Sequence, residues 1–394
     1  MAMTAGVVKE TLAGERRVAI TPRVCELLRG IGLAVMVETG AGLEAGYPDS
    51  EYEQRGARMA ARGDVFREAA ILLQVRTPGA NASGAGLDDL SHYRSGQVVI
   101  GLGEPLTAIR ENEAMAAKGV VYFALELIPR ITRAQSMDVL SSMANLAGYK
   151  AVLLAANALP KVLPMMTTAA GTVSPAKALV LGAGVAGLQA IATLRRLGAV
   201  VSGYDLRAVA KEQVESLGAR FVALDLQAGS GGTASGYAQE MDESFYRRQR
   251  ELLTNVIREQ DILITTAAVP GKRAPMLVTA EMAAGMAPGS VIVDLAAERG
   301  GNCEATQPGQ TVVHQGVQIL GPVNLPSLVP YHASQMFATN IAAFLKTIVV
   351  KGELRIDAAD EIVRETLVAR DGRVLQPRLS APLPVLDRGT LQTS

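Results

Sequence analysis

A chain of 394 residues with 49% hydrophobic residues and a mean hydropathy of +0.21 can bury more than one core, so two domains are expected. Its 38 Lys and Arg balance 38 Asp and Glu to a formal net charge of 0, which argues against a nucleic-acid partner or a basic membrane-surface protein. Cys25 and Cys303 form neither a metal-ligand spacing nor a disulfide framework, and without a visible signal peptide the cytoplasm is the expected compartment.

The N-terminal third alternates short β-type runs with helical segments. "AGVVKE", "AVMVETG", "AILLQV", "QVVIGL" and "VVYFAL" read as strands, and "PRVCELLRGIG" reads as a helix opened by Pro22 and closed near Gly32. This alternation predicts a parallel sheet with helical crossovers. Thr77 to Leu90, rich in Gly, Ser and Ala, reads as a surface loop. The polar stretch "PRITRAQSMDVLSS", Pro129 to Ser142, interrupts apolar chain, and its plainer reading is a loop capping a helix. Val139 to Leu159 follows, with Asn145, Lys150 and Asn157 inside it, and reads as a long buried helix rather than a membrane span.

The middle third repeats the pattern. "KALVL", "AVVSGYD", "DILITT", "SVIVDLA" and "VQILG" read as strands, with helices over Ala183 to Leu197 and near Val209 to Leu217. The expected fold class is α/β, with two Rossmann-like doubly wound parallel-sheet domains. The first is expected over 1–140 plus a returning segment, 330–394, that begins with the helix "HASQMFATNIAAFLKTIV"; the second spans 141–329. The last fifteen residues read as a loose tail.

"LVLGAGVAG" sets Gly182, Gly184 and Gly187 in the G-x-G-x-x-G spacing between a strand and a helix. The first glycine permits the sharp turn, the second lets backbone approach a pyrophosphate, and the third lets helix pack on strand. The N–H groups at Val185 and Ala186 and the positive helix end then meet phosphate. Asp205 ends the next strand roughly 20 residues on, where a carboxylate accepts from ribose hydroxyls and repels a 2′-phosphate. That favours NAD(H) over NADP(H), although Arg207, in "YDLR", is placed to accept such a phosphate. Leu226 to Phe245 carries Gly229, Gly231, Gly232, Gly236 and Tyr237, and reads equally as a lid over a cofactor or as an insertion without a role. "YRRQRE" after it reads as a solvated helix face.

Over essentially its whole length the sequence resembles the NAD(H)-binding component, domain I, of proton-translocating nicotinamide nucleotide transhydrogenase. The stretches that carry the resemblance are "GERRVAITP", "IPRITRAQSMDVLSSMANLAGYKAV", "GAGVAGLQAIATLRRLGA", "GYAQEM", "TTAAVPGKRAP" and "VIVDLAAERGGNC". The resemblance implies that Arg130, Gln135, Asp138 and Ser141 hold the nicotinamide ring, whose carboxamide offers one acceptor and two donors. It implies that Tyr237 belongs to a mobile loop and that Ala268 and its neighbours line the nucleotide.

Alanine dehydrogenase shares the fold and is the main alternative. Its pattern has an arginine before "VA", a lysine in a "VKEP"-like turn and a histidine after the following strand. Here Arg17 is kept, Arg76 stands in "VRTP", and Gly103 stands near the histidine position. Guanidinium is a poor proton acceptor. Hydride transfer between two nicotinamides needs ring positioning and water exclusion but no such proton-handling set. The resemblance also implies partners: a membrane component (domain II), an NADP(H)-binding component (domain III), and a second copy in a homodimer, with the chain peripheral on the inner face of the cell membrane. A non-catalytic NADH-binding module is the third reading. His92, His314 and His332 sit in no catalytic constellation, Cys303 reads as core, and Glu298 lies near an acid of the dehydrogenases without a partner base.

Overall fold

The computed structural model describes residues 2–81, 85–224, 243–269 and 271–376. The chain divides into two compact units, Met1–Asp138 with Phe337–Ser394, and Val139–Met336.

In the first unit six strands run parallel: β1 (Met3–Val7), β2 (Leu33–Glu38), β3 (Arg58–Ala60), β4 (Ile71–Arg76), β5 (Val98–Leu102) and β6 (Val121–Ala124). Their order, β3-β2-β1-β4-β5-β6, is that of a Rossmann sheet. Central strands are covered on both faces, so Ile71, Leu72 and Leu73 in β4 are all 0% exposed and the run is apolar without alternation. The expected surface loop after β4 is anchored at its start, because Thr77 and Asn81 are buried.

The second unit opens with the helix Val139–Ala158. By length and composition it could cross a membrane, with a mean hydropathy of 1.3. Its Ala151, Val152 and Ala155 lie in one core with Ile191 and Leu194 of the helix Val185–Arg196. Gly148 permits that approach, since a Cβ there would stand 2.1 Å from Ala186 O. An exposed hairpin follows, β7 (Met166–Thr168) and β8 (Gly171–Val173). Then come β9 (Lys177–Leu181), β10 (Val200–Tyr204), β11 (Arg220–Phe221), β12 (Ile262–Thr265), β13 (Val291–Asp294), β14 (Thr311–His314) and β15 (Val317–Leu320). Their order is β11-β10-β9-β12-β13-β15-β14, parallel except for β14. Alternate residues of β9 feed opposite cores: Ala178 and Val180 pack with Ile191, while Leu179 and Leu181 pack with Leu253 and Ile257. That is the double winding.

From Phe337 the chain belongs again to the first unit. Phe337, Ile341 and Phe344, on the helix Pro330–Ile348, are 0% exposed, and the Phe344 ring lies 5.4 Å from that of Phe123 in β6. A small hairpin, β16 (Val349–Val350) and β17 (Glu353–Leu354), precedes β18 (Leu367–Arg370) and β19 (Arg373–Val374). β18 joins β6 antiparallel and β19 joins β18 antiparallel, so this sheet, like the second, is parallel-rich rather than wholly parallel. The cause is local. Asp371 and Gly372 both have positive φ, 52° and 76°, the two-residue turn that folds a strand straight back. Gln315-Gly316 and Lys351-Gly352 turn the β14–β15 and β16–β17 hairpins in the same way. The expected tail lies outside the described residues.

Candidate functional site

In the second unit the register aligns three strand ends. Leu181 of β9 pairs with Tyr204 of β10 and Thr265 of β12, so Gly182, Asp205 and Thr266 open at one edge. β9 has β10 on one side and β12 on the other, so this edge is the switch point where strand order reverses and ligands of such sheets bind.

The three glycines meet three different needs. Gly182 has φ +98°, which side chains rarely adopt. A Cβ on Gly187 would lie 1.8 Å from Gly182 O, so only glycine lets the helix sit this close to the turn. Gly184 faces open space, with nothing within 4 Å of a Cβ built on it. It is also the N-cap of the helix Val185–Arg196, and no side chain caps that end. Backbone donors at Val185, Ala186 and Gly187 and the positive helix end are therefore presented to an anion. This suits a pyrophosphate.

Asp205 lies against the same turn. Its Oδ2 accepts from Ala183 N at 2.7 Å and its Oδ1 from Arg207 N at 2.9 Å, which aims the carboxylate. Arg207 also closes on it with Nε and Nη2, each at 2.9 Å. Hydrogen bonding to Asp205 raises the Arg207 pKa.

Ala268 is exposed beside this edge, and a network without a plain sequence signature holds the chain just before it. Thr266 Oγ1 donates to Gly182 O at 2.9 Å. Asn302 accepts from Ala267 N at 3.0 Å and donates from Nδ2 to Ala267 O and Pro275 O at 2.9 and 2.8 Å. Asp294, 0% exposed, accepts from Thr265, Ala296, Asn302, Cys303 and Thr306, which compensates for burying its charge. The one sequence signal is polar Asn302 beside core Cys303. Glu298 is exposed and accepts from Asn324 N at 2.8 Å. "YRRQRE" is not solvated throughout: Gln249 is 1% exposed and donates to Tyr204 Oη at 2.8 Å. Gly236 and Tyr237 lie outside the described residues.

In the first unit the polar stretch forms a 3-10 helix, Thr132–Met137. It is fastened twice to the returning segment. Arg133 pairs with both oxygens of Asp360 at 2.8 and 3.0 Å, and Asn340 Nδ2 donates to Ser136 O at 2.8 Å. Arg130 and Gln135 are exposed on this segment and Asp138 at its end is half-buried. These three lie along one segment, while Ser141 stands half-buried on the next helix, in the second unit.

The strand ends of the first sheet hold a different chemistry. Glu15 is bound by Arg17 at 2.6 and 2.7 Å and by Arg76 Nε at 2.8 Å. Burial pushes its pKa up, but the two guanidiniums outweigh this and hold it at about 2. Glu10 accepts from Val75 N and Arg76 N at 2.6 and 3.1 Å. Burial, then the Glu15 charge, raises it to about 8. Gly103 has no room for a side chain, since a Cβ would lie 1.5 Å from Tyr122 Oη. Glu126 Oε1 accepts from Gly103 N and Glu104 N at 2.8 and 2.6 Å, while its Oε2 is buried without a partner. Burial, then the Glu104 charge, raises Glu126 to about 7. Neither shifted carboxyl has a signature in the sequence. Among the described residues no group of His, Cys, Asp and Glu could hold a metal.

Comparison with known proteins narrows what this arrangement belongs to. The family models described as "Alanine dehydrogenase/PNT, N-terminal domain" and "Alanine dehydrogenase/PNT, C-terminal domain" match residues 6–147 and 151–377. The chain is 46% identical over 388 residues to the first part of NAD(P) transhydrogenase subunit alpha of Rhodospirillum rubrum, covering 96% of this chain and 99% of the relative. The crystal structure of transhydrogenase from Sinorhizobium meliloti is similar to it with a TM-score of 0.85 and 47% identity, over 94% of this chain and 99% of that one. Alanine dehydrogenase of Bacillus subtilis is 29% identical, over 94% of this chain and 92% of its own. The chain belongs to the alanine dehydrogenase/PNT family, and within it to the NAD(P) transhydrogenase alpha subunits.

Proposed function

We propose that this chain is the NAD(H)-binding component of a proton-translocating NAD(P) transhydrogenase, exchanging hydride directly between NADH and NADP+ held on a separate component. The observation that carries the reading is a contrast of sites. The phosphate cradle of the second unit is complete, while the proton-handling positions of an alanine dehydrogenase hold Arg76 engaged with Glu15 and a Gly103 that Tyr122 keeps bare.

The roles follow from the groups present. The turn Gly182–Gly187 and the uncapped helix end hold the pyrophosphate, and Asp205 accepts from the adenosine ribose. Arg130 and Gln135 donate to a carboxamide oxygen, and Asp138 and Ser141 accept from its N–H groups. A carboxamide held at both ends fixes which ring face is offered, and orientation is most of what a direct transfer requires. The bound nicotinamide supplies the hydride itself. Ala268, at a loop pinned by Asn302, lines the nucleotide. Gly236 and Tyr237 carry no part of the reading.

The same reading assigns proton movement to a membrane component and NADP(H) to a third one, with this chain on the cytoplasmic face of the cell membrane. The exposed hairpin carrying Met166 and Val173 at 44% and 48%, with Met165 at 66% just before it, supports association with a second copy. Alanine dehydrogenase is the second reading, favoured by Glu10 and Glu126 as groups that titrate near neutrality.

The test is reconstitution. The purified chain is mixed with the NADP(H)-binding component of the same organism and NADPH, and hydride transfer from NADH to the acetylpyridine analogue of NAD+ is followed. Transfer that requires both proteins is expected. NAD+ reduction by L-alanine with this chain alone would replace the proposal with the second reading.

A further inference from the structure

This inference rests on the dinucleotide reading of the cradle and concerns how its ribose subsite is filled. Asp205 receives four hydrogen bonds: from Ala183 N, from Arg207 N, and from Nε and Nη2 of Arg207. A carboxylate offers about four lone-pair positions, so a ribose diol finds all of them taken. The four donors are not equivalent. Two are backbone N–H groups, fixed by the turn after β9 and by the chain after β10. The other two belong to one side chain, 18% exposed, that can swing away without disturbing the backbone. They are also two N–H donors on two different oxygens, the number and spread that vicinal ribose hydroxyls would replace.

We propose that Arg207 is a displaceable counter-ion of Asp205: the adenosine diol takes the two carboxylate positions that the guanidinium gives up, and the released guanidinium tempers rejection of a 2′-phosphate. Two opposite consequences follow for one residue. Toward NADH, Arg207 is a competitor, because the ion pair must open before the ribose is held. Toward NADPH it is a partner, because a 2′-phosphate cannot bond to a carboxylate but can bond to a freed guanidinium. Discrimination between the dinucleotides is thus lower than Asp205 alone would impose.

The experiment is equilibrium titration of the full chain with NADH and with NADPH, read by the fluorescence of the bound nicotinamide. Arg207→Ala should tighten NADH about 5-fold and weaken NADPH by a similar factor. Their ratio should then rise by more than about 10-fold. Arg207→Lys keeps the charge but not the paired geometry and should fall between. In an Asp205→Asn background, Arg207→Ala should no longer tighten NADH, because the pair it opened is gone. Weaker or unchanged NADH binding by Arg207→Ala, or a gain that persists beside Asn at 205, would overturn the exchange while leaving the dinucleotide site intact. Absence of NADH binding by the unmodified chain would overturn the site reading and the exchange together.

Discussion

The two large sheets share a strand order and differ in what occupies the crevice that the order creates. In both, the first strand has the second on one side and the fourth on the other. In the second unit the turn beyond that strand is Gly182 to Gly187, with a helix end left uncapped and Gly184 open. In the first unit the chain beyond β1 carries Glu10, whose side chain takes Val75 N and Arg76 N for itself. Glu15, Arg17 and Arg76 then fill the neighbouring space with a closed ion cluster. Strand order makes a crevice. Whether it accepts an anion from outside depends on whether the chain has already supplied one.

Glycine substitutions should break this contrast most severely. Gly187→Ala forces the helix off the turn, so NADH affinity should fall more than about 100-fold and stability by about 2–3 kcal/mol. Gly184→Ala meets no atom, so stability should hold within about 0.5 kcal/mol while affinity falls about 10-fold. Urea unfolding and NADH titration read both, and equal loss of stability in the two variants would contradict the division of roles. Next in size, Asp138→Asn should leave NADH affinity within a few-fold and slow hydride transfer about 10-fold or more. An unchanged rate would remove Asp138 from the site.

The first unit offers a pH test. The Glu126 pKa is raised by folding, so the proton-bound form is favoured in the native state. The associated stability is present below about 4.5 and is lost as pH rises through about 7. Glu126→Gln should therefore exceed the unmodified protein by about 1–3 kcal/mol at pH 8 and match it near pH 4.5. A gap independent of pH in denaturant unfolding would show that its titration is not the cause. The smallest effect belongs to Arg133→Ala, which releases an exposed tie of the polar segment. A rate loss of no more than a few-fold is expected, with no resolved change in melting temperature. A loss equal to that of Asp138→Asn would give Arg133 a direct role.

The parallel strands and the cradle are legible in the sequence because their signals are local: apolar runs of strand length, and glycines at fixed spacing before a helix. The antiparallel edges are harder. Asp371-Gly372 is a strong hairpin pair, but the strands it joins are short, and Gln315-Gly316 and Lys351-Gly352 are weaker turn signals. The polar stretch stands out in the sequence, yet its internal division of labour does not. Nothing local separates Arg130 from Arg133, because the latter's partner, Asp360, is 227 residues away. Asn302 and Asp294 escape a sequence reading for the same reason, since each serves backbone groups brought close only by the fold. Asp205 and Arg207 are two residues apart and both carry a signal, but that they close on each other becomes visible only with their rotamers.

The measurement that bears most directly on direct hydride exchange is the fate of the label. The reconstituted components would turn over once with NADH deuterated at the reactive C4 position, and the product dinucleotide would be analysed by mass. Full retention of deuterium is expected, because in a direct transfer the hydride leaves one C4 and arrives at the other without an intermediate carrier. Loss of label to solvent would contradict direct transfer, because it would require a two-electron carrier with an exchangeable hydrogen between donor and acceptor.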